Sequence, residues 1–293
     1  MNLSMEAVPR PAYRYRLPAL LQDLRLLDLL EISGTTLEAS RAAGYSQPTV
    51  SRRTRALAND FSLDVNRRRQ VGCCYGTSPA IQLLRLGCRA HRLSAGVARL
   101  GADVLLQPLL ADCPWLLPAP ARFRPVECWL ELVRQGVLDG ALVSGLEFPR
   151  AAPPQADDLE LLPLGERPLA LAMASGQVPT AGSLPPVLVP SRAAAQGLQR
   201  ELQQRGLAIK TVGNACHTPA HWCERLQRSA VAMPLLQLEP AHWWKGLQRL
   251  PLPTPLQLPL WLVLPAGWCQ QGVLAHTAEQ LVYPTAQKYA PGA

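Results

Sequence analysis

Hydrophobic residues near the start of the chain repeat at helical spacing, in short segments separated by turn signals. Leu24, Leu27 and Leu30 recur at three-residue steps, as one buried face of a helix requires. Thr35 stands three residues before Glu38, which is the spacing of a capping box. The pattern therefore predicts two consecutive helices, the second beginning at Thr35.

A third helix is predicted directly after the glycine that ends the second. Gly44 stops the second helix, and Ser46 is an N-cap candidate with Pro48 in the first turn, where its missing N–H costs nothing. Val50 and Leu57 are predicted to face the core. The other faces carry polar and basic residues, namely Thr49, Ser51, Arg52, Arg53 and Arg55. Two short helices joined by a tight turn, the second bearing arginines, are typical of a helix-turn-helix.

The residue types on the third helix suit nucleic acid. Arginine can donate to phosphates or to the acceptor edge of guanine, and Gln47 at the N-terminal end suits adenine. An ordinary solvated helix face is the alternative for a charged run. The capped short helix and the tight turn before it favour DNA binding.

These residues resemble a known family. The stretch from Leu24 to Arg68 is similar to the winged helix-turn-helix of LysR-type transcriptional regulators, and residues 46–52, SQPTVSR, are close to the family's SQPALSR. Departures include Ala58 in place of glutamate and Asn66 in place of phenylalanine. The interpretation assigns the following residues to DNA binding: Thr35, Ser46, Gln47, Pro48, Thr49, Ser51, Arg52, Arg53, Arg55, Arg67, Arg68 and Arg69.

The segments on either side of the helices are expected to assist. Residues 1–18 form an arm rich in proline and arginine that is predicted to lack regular structure, or alternatively to lie along the DNA backbone. Residues 60–77 are predicted to form the wing and its return strand, with Cys73 and Cys74 packed in that strand. Arg67, Arg68 and Arg69 at the wing tip would contact phosphates without reading sequence. The predicted DNA-binding domain thus spans residues 19–77.

A linker helix is predicted over residues 78–100. Its apolar positions follow the spacing of a coiled-coil seam: Leu83, Leu86, Ala90, Leu93, Val97 and Leu100. Four arginines, at positions 85, 89, 92 and 99, lie off this seam. The resemblance implies that this helix pairs two chains, whereas a helix packed on its own domain is the alternative.

Residues 101–293 alternate helices with short apolar strands, which favours α/β architecture. Expected strands include residues 141–144, two strands flanking Gly165 within 159–174, residues 187–190, 207–212, 230–233 and 258–265. Helices are expected over 192–205, from 218 to 228, and up to Tyr283. The family resemblance implies an effector domain of two Rossmann-like, periplasmic-binding-protein-like lobes. Lobe I would comprise about 101–164 and 266–293, and lobe II about 165–265.

A small-molecule effector is expected to bind between these lobes. Polar residues at the predicted strand ends, Ser144, Ser191, His217 and Thr218, should converge on one cavity, because strand ends and helix N-termini are where α/β domains place ligands. The run CHTPAHWC (216–223) could hold a metal or a redox pair, but adjacent Cys216 and His217 rarely reach one tetrahedral ion. No metal, cofactor or catalytic residue is predicted, because nucleophile-elbow, P-loop, dinucleotide and H-E-x-x-H motifs do not occur.

Charge is distributed unevenly along the 293 residues. Residues 1–100 contain 15 arginines and 7 acidic residues, which accounts for the whole net charge of +8, whereas residues 101–293 contain 14 of each sign. A basic domain attached to a neutral one is typical of a nucleic-acid reader with a separate sensing domain. Eight cysteines without a repeated C-x-x-C, no secretory segment and no apolar run of ~18 residues predict a cytoplasmic protein with reduced thiols and no membrane association.

Together the patterns predict an N-terminal all-α winged helix-turn-helix, a linker helix and a C-terminal α/β effector domain. The expected function is a sequence-specific transcriptional regulator, not an enzyme, that binds double-stranded DNA as a dimer or tetramer. A small-molecule effector and RNA polymerase are its further candidate partners. The alternative is a small-molecule or metal-binding sensor that resembles solute-binding proteins, with DNA contact secondary.

Overall fold

The computed structural model of the chain describes residues 9–66, 71–148, 157–176, 184–212, 219–237, 246–250, 252, 254–270 and 272–282. The helices are α1 (Gln22–Ser33), α2 (Thr36–Ala43), α3 (Gln47–Asp60), α4 (Pro79–Ser94), α5 (Val126–Arg134), α6 (Gln196–Gln204), α7 (Pro219–Arg228) and α8 (Gly272–Val282). The strands are β1 (Leu100–Ala102), β2 (Gly140–Ser144), β3 (Leu159–Ala174), β4 (Val187–Val189), β5 (Ile209–Thr211), β6 (Met233–Leu236), β7 (Leu247–Leu250) and β8 (Leu256–Pro265). No described helix is both long enough and apolar enough to cross a membrane.

The first three helices form the predicted helix-turn-helix, and local capping sets their ends. The Thr35 hydroxyl accepts from the Glu38 N–H at 3.2 Å, which begins α2 at the predicted residue. Gly44 ends α2 in the left-handed conformation with φ 72°, which glycine adopts without a Cβ penalty. Ser46 caps α3 in the same way, with Pro48 in the first turn. The three helices meet in a small core of Leu26, Leu29, Leu30, Ala39 and Val50.

The predicted wing strand is not found in the described part of the segment. Residues 61–66 and 71–78 contain no strand, and residues 67–70 lie outside the described residues. Instead, the buried Glu31 carboxylate accepts from the backbone N–H groups of Cys74 and Tyr75, at 2.7 and 2.6 Å. These bonds give the return segment side-chain partners where a strand would have backbone partners. Cys73 is buried and Cys74 half-buried, and neither lies in a strand.

Helix α4 is shorter than predicted and buries a different face. It begins after the Ser78 cap and ends at Ser94, whereas the linker helix was predicted to reach residue 100. Leu100 lies in β1, and residues 97 and 98 lead into it. The buried positions of the helix include Arg85, Arg89 and Arg92, at i, i+4 and i+7. The arginines that lie off the predicted seam are thus on the buried face of α4, because they are paired inside the chain, as described below.

A mixed sheet in the order β1-β2-β8-β3-β6 forms the centre of the C-terminal domain, with β7 also pairing β3. The interval 159–174 is one strand with a register shift between Pro163 and Glu166, where two strands had been predicted. Before the shift, β3 lies beside the part of β8 that pairs β2; after it, β3 continues to β6 and β7. The strand thus passes from one part of the sheet to the other near Leu164. The return lies at Pro259–Leu260, since residues 260–263 of β8 already pair β2, and not at Pro265.

The second lobe contains a parallel pair, β4 and β5, beside which α6 and α7 pack. Strand β6 begins at Met233, so the strand predicted over 230–233 lies further along the chain, and α6 begins at Gln196, later than predicted. A single apolar cluster spans both lobes, including Leu142, Leu171, Val189, Leu202 and Trp222. A second cluster packs α5 against β2 and β8. The expected α/β arrangement is thus observed, with a long crossing strand joining its parts.

Candidate DNA-binding surface

The N-terminal half of α3 is the exposed part of the helix-turn-helix. Gln47 and Pro48 are exposed at its first turn, and Val50 is fully buried one residue after Thr49. The Gln47 side-chain amide donates to the Thr36 hydroxyl at 2.8 Å, which ties α3 to the start of α2. This bond holds Gln47 at the surface, where its amide remains within reach of a partner.

Two of the three predicted arginines of α3 point to solvent. Arg52 and Arg55 are exposed, and Ser51 is half-buried between them and the core. The opposite face is anchored by Thr54, which is buried and donates to the Val50 carbonyl at 2.8 Å. Helix α3 thus has exposed cations on one face and buried residues on the other, as expected for the second helix of a helix-turn-helix.

Arg53 is engaged inside the domain. Its guanidinium forms an ion pair with Asp23 of α1 and lies 5.2 Å from the centre of the Tyr45 ring. The assignment of Arg53 to DNA binding did not foresee the ion pair, because Asp23 lies 30 residues away in the sequence. Arg53 therefore acts within this fold as a brace between α3 and α1.

Among the remaining predicted DNA-binding residues, some cap helices and others lie outside the residues that the structure describes. The hydroxyls of Thr35 and Ser46 both accept a backbone N–H at a helix start, and both residues are exposed. Thr49 is half-buried, with its hydroxyl 2.8 Å from that of Ser46. Arg67, Arg68 and Arg69 lie outside the described residues.

The six predicted seam residues do not form one continuous stripe. Leu83 and Leu86 are 70% and 40% exposed on α4, and Ala90 is half-buried. Leu93, Val97 and Leu100 are buried within the chain's own C-terminal domain. Of the predicted dimer surface, Leu83 and Leu86 are the large apolar residues that are exposed on α4.

Of the two predicted effector residues that the structure describes, Ser144 lines the space between the lobes and Ser191 does not. The space between the lobes, called here the lobe cleft and lined by Asp103, Ser144, Glu147 and Leu198 among others, measures about 20 Å³. His217 and Thr218 lie outside the described residues, as does Cys216. The described residues contain no group of three metal-ligating side chains.

The small size of the lobe cleft has a visible cause. Glu147 accepts from the backbone N–H groups of Gly197 and Leu198, both at 2.9 Å, at the N-terminus of α6. A Cβ on Gly197 would lie 1.7 Å from the Leu146 carbonyl oxygen, so the backbones touch there. Burial raises the pKa of Asp103 to about 7, although the Leu106 N–H donates to its carboxylate. A carboxylate of the chain itself thus occupies the N-terminus of α6, a position that is otherwise favourable for a bound anion.

Sequence reasoning missed a buried ionic cluster between the helix-turn-helix and the C-terminal domain. Arg85 donates to Asp28 of α1 at 2.7 Å, and Arg92 makes two bonds to Asp139, at 2.8 and 2.6 Å. Arg89 donates to the Leu138 carbonyl at 2.7 Å. A local signal existed, because Asp28 interrupts the leucine run of α1 at a position that must be buried.

The C-terminal domain also supplies cations to the end of α1. Arg122 donates to the Ser33 carbonyl at 2.9 Å, and Arg124 donates to the carbonyls of Glu31 and Ile32. The last carbonyls of a helix lack intrahelical partners, and cations are favourable there. The helix-turn-helix is thereby attached to the rest of the chain by direct side-chain bonds.

Comparison with known proteins finds distant structural relatives. No protein-family model matches the chain, and no curated protein matches it. CbnR, a LysR family transcriptional regulator, is 15% identical, with 89% of this chain and 97% of CbnR covered and a TM-score of 0.47. CbnR complexed with its target DNA gives 14% identity, 91% and 99% coverage and a TM-score of 0.45. A cysteine variant of full-length OxyR from Pseudomonas aeruginosa is 14% identical, with 89% of this chain and 97% of that chain covered and a TM-score of 0.44. The chain is similar to these regulators over most of its length, at a distance where function must follow from its own residues.

Proposed function

We propose that the chain is a sequence-specific DNA-binding transcriptional regulator of LysR-type organisation, which inserts the N-terminal half of α3 into the major groove. The exposed, capped start of α3 carries the proposal. Gln47, Arg52 and Arg55 stand in solvent on a helix whose other face is fixed by Val50 and Thr54. The major groove of B-DNA admits one α-helix, and a helix-turn-helix presents its second helix there.

The side chains of α3 differ in the contacts they suit. Gln47 and Arg52 are the candidates for base edges, because amide and guanidinium groups form two-point bonds to adenine and guanine respectively. Thr49 and Ser51 lie beside them with hydroxyl groups. Arg55, one turn further along α3, is placed for phosphate, with Arg67, Arg68 and Arg69 as further candidates. Arg53 is reassigned to positioning α3 through Asp23.

Arg52→Ala is expected to weaken binding to the preferred DNA by about 1–3 kcal/mol and to reduce the preference over random DNA. A guanidinium bound to a guanine edge contributes on the preferred sequence alone, so the two affinities should move toward each other. Fluorescence anisotropy of the full chain, with a duplex selected from a random library and a scrambled duplex, measures both.

The matched control is Arg228→Ala, which removes an exposed arginine from α7 in the C-terminal domain. Its effect on both duplexes should be small, because α7 does not adjoin α3. Equal weakening by Arg52→Ala on selected and scrambled DNA would assign Arg52 to a phosphate contact.

We infer that α4 provides the contact between two copies of the chain through Leu83 and Leu86. These leucines are exposed on one side of a helix whose opposite side is buried. Changing both to glutamate should convert dimers to monomers in light scattering and weaken DNA binding, because two half-sites would no longer be held together.

Leu20→Glu is the control for the added charge, since Leu20 is 92% exposed and lies outside α4. This variant should retain the wild-type mass. A Leu83→Glu, Leu86→Glu chain that remains dimeric would place the interface elsewhere.

The volume of the lobe cleft does not support the binding of an effector there. A volume of about 20 Å³ accommodates roughly one water molecule, whereas small-molecule sites commonly measure about 300–1,000 Å³. We therefore propose no effector for the lobe cleft.

A further inference from the structure

A much larger cavity lies between the N-terminal arm, the helix-turn-helix, α4 and the C-terminal domain. This interdomain cavity measures about 700 Å³, which is within the size range of small-molecule sites. The arm contributes residues 12, 13 and 15–17, α1 contributes Gln22, Arg25 and Asp28, and the turn before α3 contributes residues 43–45. Helix α4 contributes Cys88 and Arg92, and the segments after it contribute Arg99 and residues 116–118. It shares no lining residue with the lobe cleft.

One cation in the wall of the interdomain cavity lacks a hydrogen-bonded acceptor. Arg99 is 3% exposed, and its Nε and Nη1 atoms are buried without a hydrogen-bond partner among the described residues. The nearest carboxylate oxygen of Asp28 lies 3.8 Å from Nη1, beyond hydrogen-bond distance. A buried donor left unpaired is costly, and for a charged group more so.

The acids near Arg99 are already committed to other arginines. Asp28 accepts from Arg85, and Asp139 accepts two bonds from Arg92 and one from the backbone N–H of Arg99. Burial and the neighbouring positive charge of Arg92 lower the pKa of Arg99 to about 10. The arginines here outnumber the two aspartates, so one further anion at Arg99 would offset part of the excess positive charge.

The rest of the wall adds positive charge and aromatic surface. Arg25 is half-buried in α1, and Arg16 is exposed on the arm. Tyr13, Tyr15 and Tyr45 line the same space. Guanidinium groups bind phosphate or carboxylate in charge-assisted bonds, and tyrosine rings pack against flat apolar groups.

We propose that the interdomain cavity binds a small aromatic anion, whose phosphate or carboxylate group is held by Arg99 and Arg25 and whose ring packs against the tyrosines. The occupant would contact the arm, the helix-turn-helix and the C-terminal domain together. This site is independent of the proposed DNA contact, because neither Arg52 nor Arg55 lines it.

Calorimetric titration of the full chain with phenyl phosphate, inorganic phosphate and phenol separates the two parts of the proposal. Phenyl phosphate should bind most tightly, inorganic phosphate more weakly, and phenol without measurable affinity. Arg99→Gln should weaken phenyl phosphate binding roughly 10-fold or more, because the variant cannot form the charge-assisted bond. Arg25→Gln, at a half-buried position in the same wall, should weaken it in the same direction.

Arg228→Gln is the matched control, because it removes an exposed arginine of α7 that lies outside both the interdomain cavity and the proposed DNA-binding surface; it should leave phenyl phosphate affinity unchanged. The proposal is overturned if phenyl phosphate gives no binding heat beyond that of sodium chloride at equal ionic strength, or if Arg99→Gln and Arg25→Gln both bind it as the wild type does. If phenyl phosphate and inorganic phosphate bound with equal affinity, the proposed packing of the ring against the tyrosines would be wrong.

Discussion

Asp139→Ala is expected to lower the free energy of unfolding by about 3–5 kcal/mol, because it leaves Arg92 buried without a counter-ion. Both side chains are almost fully buried, and two hydrogen bonds join them. The same carboxylate accepts from the backbone N–H of Arg99 at 2.7 Å. Urea unfolding followed by tryptophan fluorescence measures the change.

The pH dependence of stability should change in the same variant. Burial alone would raise the pKa of Asp139, but the charges of Arg92 and Arg89 outweigh it and hold the pKa below its usual range. A lowered pKa in the folded state stabilises the fold fully above the unfolded value, and this stabilisation is lost as the pH falls through the folded value. The wild type should therefore lose stability in acid through a carboxyl that Asp139→Ala lacks.

Asp158→Ala provides the matched control. Asp158 also bonds an arginine, Arg134, at 2.7 Å, but its side chain is 57% exposed. Exposed ion pairs contribute under about 1 kcal/mol, since water solvates both groups. If Asp139→Ala cost no more than Asp158→Ala, the buried cluster would not be holding the helix-turn-helix against the C-terminal domain.

DNA affinity should fall by roughly 10³-fold or more between about 50 and 200 mM salt, if a dimer neutralises about six phosphates. The excess positive charge of the chain lies within residues 1–100, which include the exposed Arg52 and Arg55. Each phosphate contact releases condensed counterions, so the logarithm of affinity should decrease linearly with that of salt concentration. Anisotropy titrations at several salt concentrations give the slope.

Arg55→Ala should reduce that slope by about one unit for each phosphate that the variant no longer neutralises, with similar weakening on selected and scrambled DNA. Arg228→Ala serves again as the control for removing one positive charge far from α3. An affinity that does not respond to salt would rule out a phosphate-based interface.

The helix-turn-helix was predictable because its determinants are local. Thr35 and Ser46 cap helices through residues three positions away, and Gly44 ends α2 by its own conformation. Each signal is contained in a few consecutive residues. The sequence therefore placed the starts of α2 and α3 correctly.

The buried face of α4 was not predictable from the same rules. Periodicity assigns apolar residues to the inside, but here Arg85 is buried and Leu83 is exposed. The cause is pairing between distant residues. Arg85 pairs with Asp28, 57 residues away, and Arg92 pairs with Asp139, 47 residues away. Burial of arginine becomes favourable only when a fold supplies such acceptors. Asp28 within the leucine run of α1 indicates a buried acid, but it does not indicate which arginine pairs with it.

The lobe cleft shows the same limitation. Ser144 was correctly placed at a strand end, but Glu147, three residues later, reaches α6 and closes the space. Its two bonds join positions about 50 residues apart. The strand-end rule locates a cleft without specifying which of the chain's own groups enter it.

Selection of DNA from a random duplex library by the full chain tests most directly whether α3 reads sequence. We expect enrichment of one motif, bound about 10³-fold or more tightly than scrambled DNA, with two half-sites about one helical turn or a multiple apart if the dimer forms. Arg52→Ala should enrich a motif with a relaxed preference at one position of each half-site. Recovery of unenriched sequences, bound no more tightly than the scrambled duplex, would contradict the assignment of this chain as a sequence-specific regulator.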